Sequence, residues 1–367
     1  MKYFLIAGEA SGDSHAAALI QQIRQRDPKA QFAGLGGSRM AAAECHLYQD
    51  YSHMAFMGFV AVLRNWREVQ RNFRIAREAL LAEKPDVLIL VDYPSFNMQM
   101  ASFCRHHLPQ TKIYYYIPPK VWAWKRWRIH KIARLCDKVL GILPFEPAFY
   151  AKYGYDCTYV GNPTVEEIFN FQTSSFKFQN SKTIALLPGS RKSEIINCLS
   201  TMLAAARHFP EYAITVCAAP DIPEDLYRPY LTQGETLTHD TYATLRQASA
   251  AVVNSGTATL ETALLQCPQV AVYHIACPRF IALIRWTQPL FFSIPYFTLV
   301  NIITGKQVIR ECVANDFTEN RIADELKRLL TDPEYKKKML DSYEHLHSLL
   351  GNLPASATAA AIITQKP

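Results

Sequence analysis

The chain has 367 residues, of which 49% are hydrophobic and 19% are charged, and its net charge is +7. This is the composition of a globular protein, and the length exceeds what one hydrophobic core usually supports, so we expect two domains. The nine cysteines form no C-x-x-C pair, which argues against a disulfide framework or a zinc site and fits a reducing compartment. Since the sequence has neither a secretory signal nor a run of roughly 18–20 apolar residues, we expect a cytoplasmic protein. From the cysteine pattern, we expect no metal site.

The first predicted strand, residues 3–7, ends in the turn GEASGD, residues 8–13, before a predicted helix. Gly8 and Gly12 allow the backbone to approach a ligand closely, but their spacing is not that of a dinucleotide site. Carboxylates accept hydrogen bonds from hydroxyl groups, so the acidic turn with Glu9 suits the hydroxyl groups of a sugar. The alternative is that Ser11 or Asp13 caps the following helix.

A helix with one apolar side follows over residues 64–83, and then a fully apolar strand over residues 87–91. Such a strand is typical of a parallel sheet that is buried on both faces. Asp92 comes directly after it, and Pro94 turns the chain out of the sheet. Asp92 is therefore either a general base toward a hydroxyl group or a carboxylate that caps the turn.

The excess of positive charge lies in the N-terminal half, where residues 1–163 hold 21 Lys and Arg against 13 Asp and Glu. It concentrates in residues 120–138, where tryptophans alternate with basic residues. Aromatic and basic side chains together suit an anionic lipid surface, or else a solvated basic helix with core tryptophans. We favour the membrane and expect these residues to face it: Trp66, Trp122, Trp124, Trp127, Lys125, Arg126 and Arg128. No nucleic-acid partner is expected.

After a polar stretch at residues 172–181, a second series of strands and helices begins. Its first strand ends in PGSR, where Gly189 permits a turn, Ser190 offers a backbone N–H and Arg191 offers a fixed positive charge. This pattern predicts a phosphate site, although a surface arginine in a tight turn would look the same. A later strand ends in NSGTATLE, where Ser255, Gly256 and Thr257 open a helix that could meet an anion, and Glu261 lies one turn further on, suited to a ribose diol.

Strands that alternate with helices predict an α/β fold of two doubly wound Rossmann-like domains with a crevice between them. We place the boundary between the two domains near residues 162–180. Since ligands bind where parallel strands end, the loops after the strands are the expected sites, and the second domain, with two turns suited to an anion and an acid for a ribose, is predicted to bind a nucleoside diphosphate.

Six segments occur in one order: AGEASGD, VDYPSFN, PPKVWAWKRWRIHKIA, LPFEPAFYAKYG, LLPGSR and NSGTATLE. As a set they resemble the lipid A disaccharide synthases, over nearly the whole chain. The resemblance implies an inverting, metal-independent glycosyltransferase of the GT-B fold that needs no cofactor. It implies transfer of 2,3-diacylglucosamine from UDP-2,3-diacylglucosamine to 2,3-diacylglucosamine 1-phosphate (lipid X) at the inner face of the inner membrane.

The resemblance also assigns domains and residues. It implies a first domain at residues 1–165 together with a C-terminal helix at about 345–367, which would bind the acceptor and face a membrane, and a second domain at residues 166–344, which would bind the UDP-sugar. It puts the essential aspartate at Asp92, lines the site with Glu9 and Ser11, brings Arg191 to the diphosphate, and places Asn301 near the site; we take Asp92, Glu9 and Asn301 as catalytic. Two positions depart from the family pattern: Ser95 replaces a second aspartate, which leaves Asp92 as the base, and Asn162 replaces a histidine. A UDP-sugar 2-epimerase of the same fold, or a membrane-surface protein without catalysis, are the alternatives.

Overall fold

A computed structural model describes the fold of two compact units, Met1–Pro163 with Asn352–Pro367, and Thr164–Gly351. The described residues are 1–51, 66–123, 126–172, 181–220, 222–275 and 295–365. The predicted linker at residues 172–181 lies almost entirely outside them.

The first unit is built on a parallel sheet of seven strands in the order β3-β2-β1-β4-β5-β6-β7. Its strands are β1 (Lys2–Ala7), β2 (Gln31–Gly36), β3 (His46–Asp50), β4 (Val87–Val91), β5 (Lys112–Tyr116), β6 (Lys138–Gly141) and β7 (Thr158–Tyr159). All five residues of β4 are buried, as its apolar sequence predicts. The order reverses between β1 and β4, so the loops that follow these two strands leave the sheet side by side.

Helices cover both faces of this sheet. They are α1 (Ala10–Arg26), α2 (Ser38–Ala42), α3 (Trp66–Glu83), α4 (Pro94–His107), α5 (Arg128–Leu135) and α6 (Glu146–Ala151). One core lies between the sheet and α3, α4 and α5, with Phe73, Met100 and Ile132 among its members. A second core lies on the opposite face, where α1 contributes Leu19 and Ile20.

The second unit repeats the plan with six parallel strands in the order β10-β9-β8-β11-β12-β13. They are β8 (Thr183–Leu187), β9 (Ala213–Cys217), β10 (Thr236–Thr238), β11 (Ala250–Asn254), β12 (Gln269–Tyr273) and β13 (Arg310–Val313). Here the order reverses between β8 and β11, which pair in register at Val252 and Leu186. The loops after β8 and β11 therefore emerge side by side.

Eight further α-helices lie in the described part of the chain. They are α7 (Pro163–Gln172), α8 (Lys192–Ala206), α9 (Thr241–Gln247), α10 (Thr257–Leu264), α11 (Leu299–Thr304), α12 (Glu319–Thr331), α13 (Pro333–Leu350) and α14 (Ala355–Ile363). The last of them, α14, packs on α1 of the first unit and buries Ala359, Ala360 and Ile363 in its core.

The return to the first unit differs from the expected boundary at residue 345. Residues 345–350 belong to α13, which groups with the second unit, and the chain rejoins the first unit at Asn352. By length and composition alone, Pro333–Ile363 is apolar enough to cross a membrane. It consists of two helices separated by residues 351–354, and both bury apolar side chains within the protein, among them Tyr343 and Leu346 of α13.

Candidate active site

The predicted loops fall at the two points where the strand order reverses. Glu9 follows β1 and Asp92 follows β4 in the first unit, and Gly189 follows β8 and Ser255 follows β11 in the second. In open α/β sheets, ligands bind at such points. Each unit therefore has one candidate site, and the two differ in charge.

Glu9 and Asp92 form a carboxyl pair at the first of these points. Their side chains are hydrogen-bonded to each other, so at least one of them must hold a proton when the bond is made. Both side chains are half-buried. Ser11 donates its hydroxyl hydrogen to Glu9 Oε1 at 3.1 Å, which orients the partner of Asp92.

The pKa of Asp92 is raised to about 6, chiefly by burial and then by the negative charge of Glu9. The ammonium group of Lys120 acts in the opposite direction, as does a hydrogen bond from the Tyr93 backbone. A carboxylate in this range is ionised at neutral pH and is more basic than an ordinary aspartate. Asp92 is thus suited to accept a proton from a hydroxyl group.

The backbone at Asp92 is strained and held in place. Asp92 and Tyr93 have φ values of 46° and 45°, in the left-handed region that residues with side chains rarely adopt. Asn97 Nδ2 donates to the Asp92 carbonyl at 2.7 Å, and the Tyr115 hydroxyl donates to the same oxygen at 2.9 Å. These bonds stabilise the strained turn and fix where the Asp92 carboxyl group emerges.

Gly8 is required by the ring of Tyr93. A Cβ atom at Gly8 would lie 2.2 Å from Tyr93 Cγ, closer than two non-bonded carbon atoms can approach. The ring thus packs directly on the β1 turn. Gly12 and Asp13 differ from prediction, because α1 begins at Ala10 and both residues lie buried within it.

Asp13 has the helix-capping role that the sequence left open, but it caps α2 and not α1, the helix in which it lies. Its carboxylate accepts from the backbone N–H groups of Gly37 at 2.7 Å, Arg39 at 3.0 Å and Met40 at 3.1 Å, at the start of α2. It therefore caps α2 and has no substrate role in this structure.

In the second unit, the turn Gly189–Arg191 has the backbone of an anion site, and a carboxylate of the chain already occupies it. Glu194 Oε2 accepts from the N–H of Ser190 at 3.0 Å and from that of Arg191 at 3.3 Å, while Arg191 Nη1 donates to Glu194 Oε1 at 2.7 Å. Gly189 has a φ of 125°, and a Cβ there would lie 2.4 Å from Glu194 Oε2. The N–H of Ser190, predicted to be open to a ligand, is bonded to Glu194.

The adjoining turn after β11 is open. Gly256 precedes α10 and has no heavy atom within 4 Å of a Cβ built on it, and Thr257 is exposed. Glu261 lies one turn into α10 and is half-buried. Burial, and then the negative charge of Glu167, raise its pKa to about 7, while a hydrogen bond with Thr257 opposes the change.

Asn301, predicted to be catalytic, is fully buried in the second unit. Its Oδ1 accepts from the N–H groups of Val308 at 2.8 Å and Ile309 at 3.0 Å, and its Nδ2 donates to the Ile309 carbonyl and to Glu311, both at 2.9 Å. Every polar atom of the side chain is thus occupied by the fold. The catalytic assignment is corrected to a positioning one: Asn301 ties α11 to the start of β13.

The predicted membrane-facing set divides in the structure. Trp127 is 65% exposed beside the exposed Arg126, whereas Arg128 is half-buried. The prediction is wrong for Trp122, which is only 4% exposed and donates its indole Nε1–H to Glu146 at 3.1 Å. Trp124 and Lys125 lie outside the described residues, as does the side chain of Trp66.

Three residues of these surroundings were missed in the sequence: Lys120, Glu194 and Glu146. Lys120 was counted only as part of a basic stretch, although its place just after β5, next to β4, is a signal that it lies near Asp92. Glu194 stands three residues after Arg191, the spacing of a capping box. Nothing in its sequence context marks the buried Glu146.

Among the described residues, no group of three His, Cys, Asp or Glu could hold a metal ion.

Comparison with known proteins identifies the family. The family model described as lipid-A-disaccharide synthetase matches residues 3–363. The chain belongs to the lipid-A-disaccharide synthase family. It is 34% identical to the lipid-A-disaccharide synthase of Trichlorobacter lovleyi, over 99% of this chain and 96% of the relative, and 36% identical to that of Xylella fastidiosa strain 9a5c, over 98% and 97%.

Solved structures with a similar fold include an epimerase and a glycosyltransferase. UDP-GlcNAc 2-epimerase from Neisseria meningitidis bound to UDP-GlcNAc has a TM-score of 0.66 at 11% identity, covering 99% of this chain and 98% of the epimerase. CalG4, the calicheamicin glycosyltransferase, has a TM-score of 0.62 at 12% identity, covering 98% and 97%. The predicted pair of Rossmann-like GT-B domains is confirmed, and at this identity the likeness is one of fold.

Family membership decides among the functions that the sequence left open. The protein is an enzyme, a glycosyltransferase of lipid A biosynthesis that uses a UDP-sugar, as predicted. The epimerase-like fold, shared at 11% identity, carries no argument for epimerase activity.

Proposed function

We propose that the enzyme transfers 2,3-diacylglucosamine from UDP-2,3-diacylglucosamine to the 6-hydroxyl group of lipid X, giving the disaccharide 1-phosphate and UDP. The observation that carries this proposal is the chemical contrast between the two strand-order reversals. One presents the basic carboxyl pair of Glu9 and Asp92, and the other presents an arginine and helix N-termini. The first suits a hydroxyl group that must lose a proton, and the second suits a departing diphosphate.

In this mechanism Asp92 accepts the proton of the acceptor hydroxyl. The acceptor oxygen forms a bond to the anomeric carbon of the donor, while the bond from that carbon to the phosphate oxygen breaks and its electron pair leaves with UDP. Glu9 serves by keeping Asp92 basic and by accepting a hydrogen bond from a sugar hydroxyl group. The strained turn at Asp92 and Tyr93 holds the base in one position, which reduces the reorganisation needed for reaction.

The second unit would bind UDP. The Arg191 side chain and the backbone N–H of Ser190 would bind the diphosphate. For this, Glu194 must leave the turn, because its carboxylate now accepts the hydrogen bonds of both groups. The open turn at Gly256 and Thr257 would give further N–H donors at the start of α10, whereas the N–H of Ser255 already donates to the Val272 carbonyl at 2.8 Å. Glu261 would accept from the ribose hydroxyl groups, and it is a better acceptor once ionised, above its pKa of about 7.

The outer face of the first unit supports peripheral binding to an anionic membrane from the cytoplasmic side. Arg67, Arg71, Arg74 and Arg77 are exposed along one side of α3, which packs next to α4 and, beyond it, α5. They line a groove with Leu81 and Phe103. Near the start of α5 lie the exposed Arg126 and Trp127. Such a surface would bring the enzyme to substrates that carry acyl chains.

Incubation with UDP-2,3-diacylglucosamine and lipid X, followed by mass detection of the disaccharide 1-phosphate, tests the function. We expect Asp92→Asn to lower kcat by about 10²–10⁴-fold, since it removes a general base. Asp86→Asn is the matched control, because Asp86 lies exposed just before the opposite end of the same strand. UDP-sugar turnover without disaccharide would contradict the proposal, and full activity of Asp92→Asn would contradict the assignment of the base.

A further inference from the structure

Glu146 is a buried carboxylate outside the Glu9–Asp92 pair. It is 1% exposed and begins α6. Its Oε2 accepts from the N–H groups of Ile142 and Leu143, both at 2.9 Å, and its Oε1 accepts from Trp122 Nε1 at 3.1 Å. A buried carboxylate destabilises a fold unless it is bonded in this way, so its presence needs a reason.

The carboxylate joins two loops at the carboxyl edge of the sheet. Ile142 and Leu143 leave β6, while Trp122 belongs to the turn that follows β5. Gly141 makes room for it, because a Cβ there would lie 2.9 Å from Glu146 Oε2. The indole of Trp122 also packs edge-on against Phe145, with ring centroids 5.0 Å apart. Trp122 is therefore held both by a hydrogen bond and by an aromatic contact.

Lys120 lies in the same turn, two residues before Trp122. The turn is closed locally, since Ala123 N donates to the Lys120 carbonyl at 3.0 Å. β5 lies next to β4, with Tyr116 opposite Val91, so this turn leaves the sheet beside Asp92. The positive charge of the exposed Lys120 acts on both Asp92 and Glu146.

We propose that Glu146 is a positioning residue for the glycosyl transfer: through Trp122 it fixes the turn after β5 and holds the Lys120 ammonium group near the Asp92 carboxylate. This inference rests on the proposed function, because it takes Asp92 as the base.

The charged and titratable groups around Asp92 give the sign of the effect. Glu9 raises the pKa of Asp92 and Lys120 lowers it, while Tyr93 and Tyr115 hold its backbone and turn. With Lys120 in place, Asp92 stays ionised to lower pH and the base works over a wider range. If the turn loosens, Lys120 moves away and the pKa of Asp92 rises.

The test is the pH profile of kcat/KM for the wild type, Trp122→Phe, Lys120→Met and the double variant. Trp122→Phe removes the indole donor without changing the charge. We expect each single variant to move the acid limb upward by about half a pH unit to one pH unit. Since both act through one ammonium group, the double variant should move it no further than Lys120→Met alone. Lys138→Met, an exposed lysine at the other end of β6, is the matched control and should leave the limb in place.

Glu146→Gln gives an independent reading should Trp122→Phe fold poorly. Burial raises the pKa of Glu146 to about 7, so the group is mostly protonated at the acid limb and loss of its charge by itself should leave the limb in place, whereas release of Lys120 moves it upward. Three outcomes would each overturn the proposal. They are an acid limb that stays in place or moves downward in Glu146→Gln, an unmoved acid limb in Trp122→Phe, and shifts of Trp122→Phe and Lys120→Met that add in the double variant. A wild type that forms no disaccharide would overturn the proposed function instead, so the two failures are distinct.

Discussion

At the scale of single residues, the side chains of the candidate site are controlled by neighbours outside the motifs that identified them. Asp92 gains its basicity from burial and Glu9, and Arg191 is paired with Glu194. The sequence indicated Asp92 and Arg191 because each follows an apolar strand. It could not indicate the protonation of Asp92, which depends on Glu9 and Lys120, brought together from distant parts of the chain, whereas the pairing of Arg191 with Glu194 is local and its spacing was a signal that was missed.

The activity should depend on the ionisation of Asp92. Because its pKa is about 6 and the base acts as a carboxylate, kcat/KM should fall as the pH drops below about 6. Glu9→Gln removes the neighbouring negative charge, which lowers the pKa of Asp92, so the acid limb should move to lower pH by about one pH unit. Initial rates across pH 4–9 measure both effects, and an acid limb that stays or moves upward in Glu9→Gln would count against the pair.

Arg191 should matter for the phosphates of UDP and not for its nucleoside. Arg191→Ala removes a charge-assisted contact of about 1.5–3 kcal/mol, so the Kd for UDP should rise by about tenfold to a hundredfold. The Kd for uridine should stay the same. Calorimetric titration of both ligands checks this, with Arg228→Ala, an exposed arginine of the same unit, as the control. Equal losses for UDP and uridine would place Arg191 elsewhere.

At the scale of elements, apolar runs predicted the interior strands well and the edges poorly. β4 and β11 are fully buried, and their sequences VLILV and AAVVN are apolar except for Asn254 at the end of β11. The edge strands β3, β10 and β13 carry polar sequences such as HLYQD and TLT, which pattern alone does not separate from loops. Trp122 and Trp127 illustrate the same limit for side chains, because alternation of tryptophan with basic residues does not tell which indole is buried.

The segment from α11 to β13 should depend on Asn301 for its stability. Asn301→Ala leaves the N–H groups of Val308 and Ile309 without their acceptor, and buried unbonded groups cost about 1–3 kcal/mol each. We expect the free energy of unfolding to fall by about 3 kcal/mol, measured by urea denaturation. Asn320→Ala, exposed at the start of α12, should change it by less than about 0.5 kcal/mol. A stable Asn301→Ala protein without activity would restore a direct role for this side chain.

At the scale of the whole molecule, the two units share one strand order and differ in charge. In each sheet the strand order reverses beside the first strand of the unit, between β1 and β4 and between β8 and β11. This reversal gives each unit one natural binding point. The doubly wound fold and the position of the loops could be predicted from strand and helix alternation. The point of return at Asn352 could not, because residues 345–350 continue a helix that belongs to the second unit.

The basic face of the first unit should bind anionic vesicles. The enzyme should sediment with vesicles that contain phosphatidylglycerol, less so as salt increases, and not with vesicles of phosphatidylcholine alone. Reversing Arg71 and Arg74 to glutamate should weaken binding by tenfold or more, since each basic residue near the surface contributes about 1 kcal/mol. The same reversal at the exposed Lys337 and Lys338 of the second unit is the control. Equal effects of the two pairs would show that net charge, and not this face, governs binding.

The return of α14 to the first unit has a consequence for synthesis. The core of that unit includes Ala359, Ala360 and Ile363, so it remains incomplete while the ribosome makes all of the second unit. The second unit, Thr164–Gly351, is continuous in the chain and is fully translated before α14 exists. Synthesis of the first unit therefore begins before that of the second unit and ends after it. Until α14 is made, the face of α1 that α14 covers is exposed, and chaperones would have to shield it.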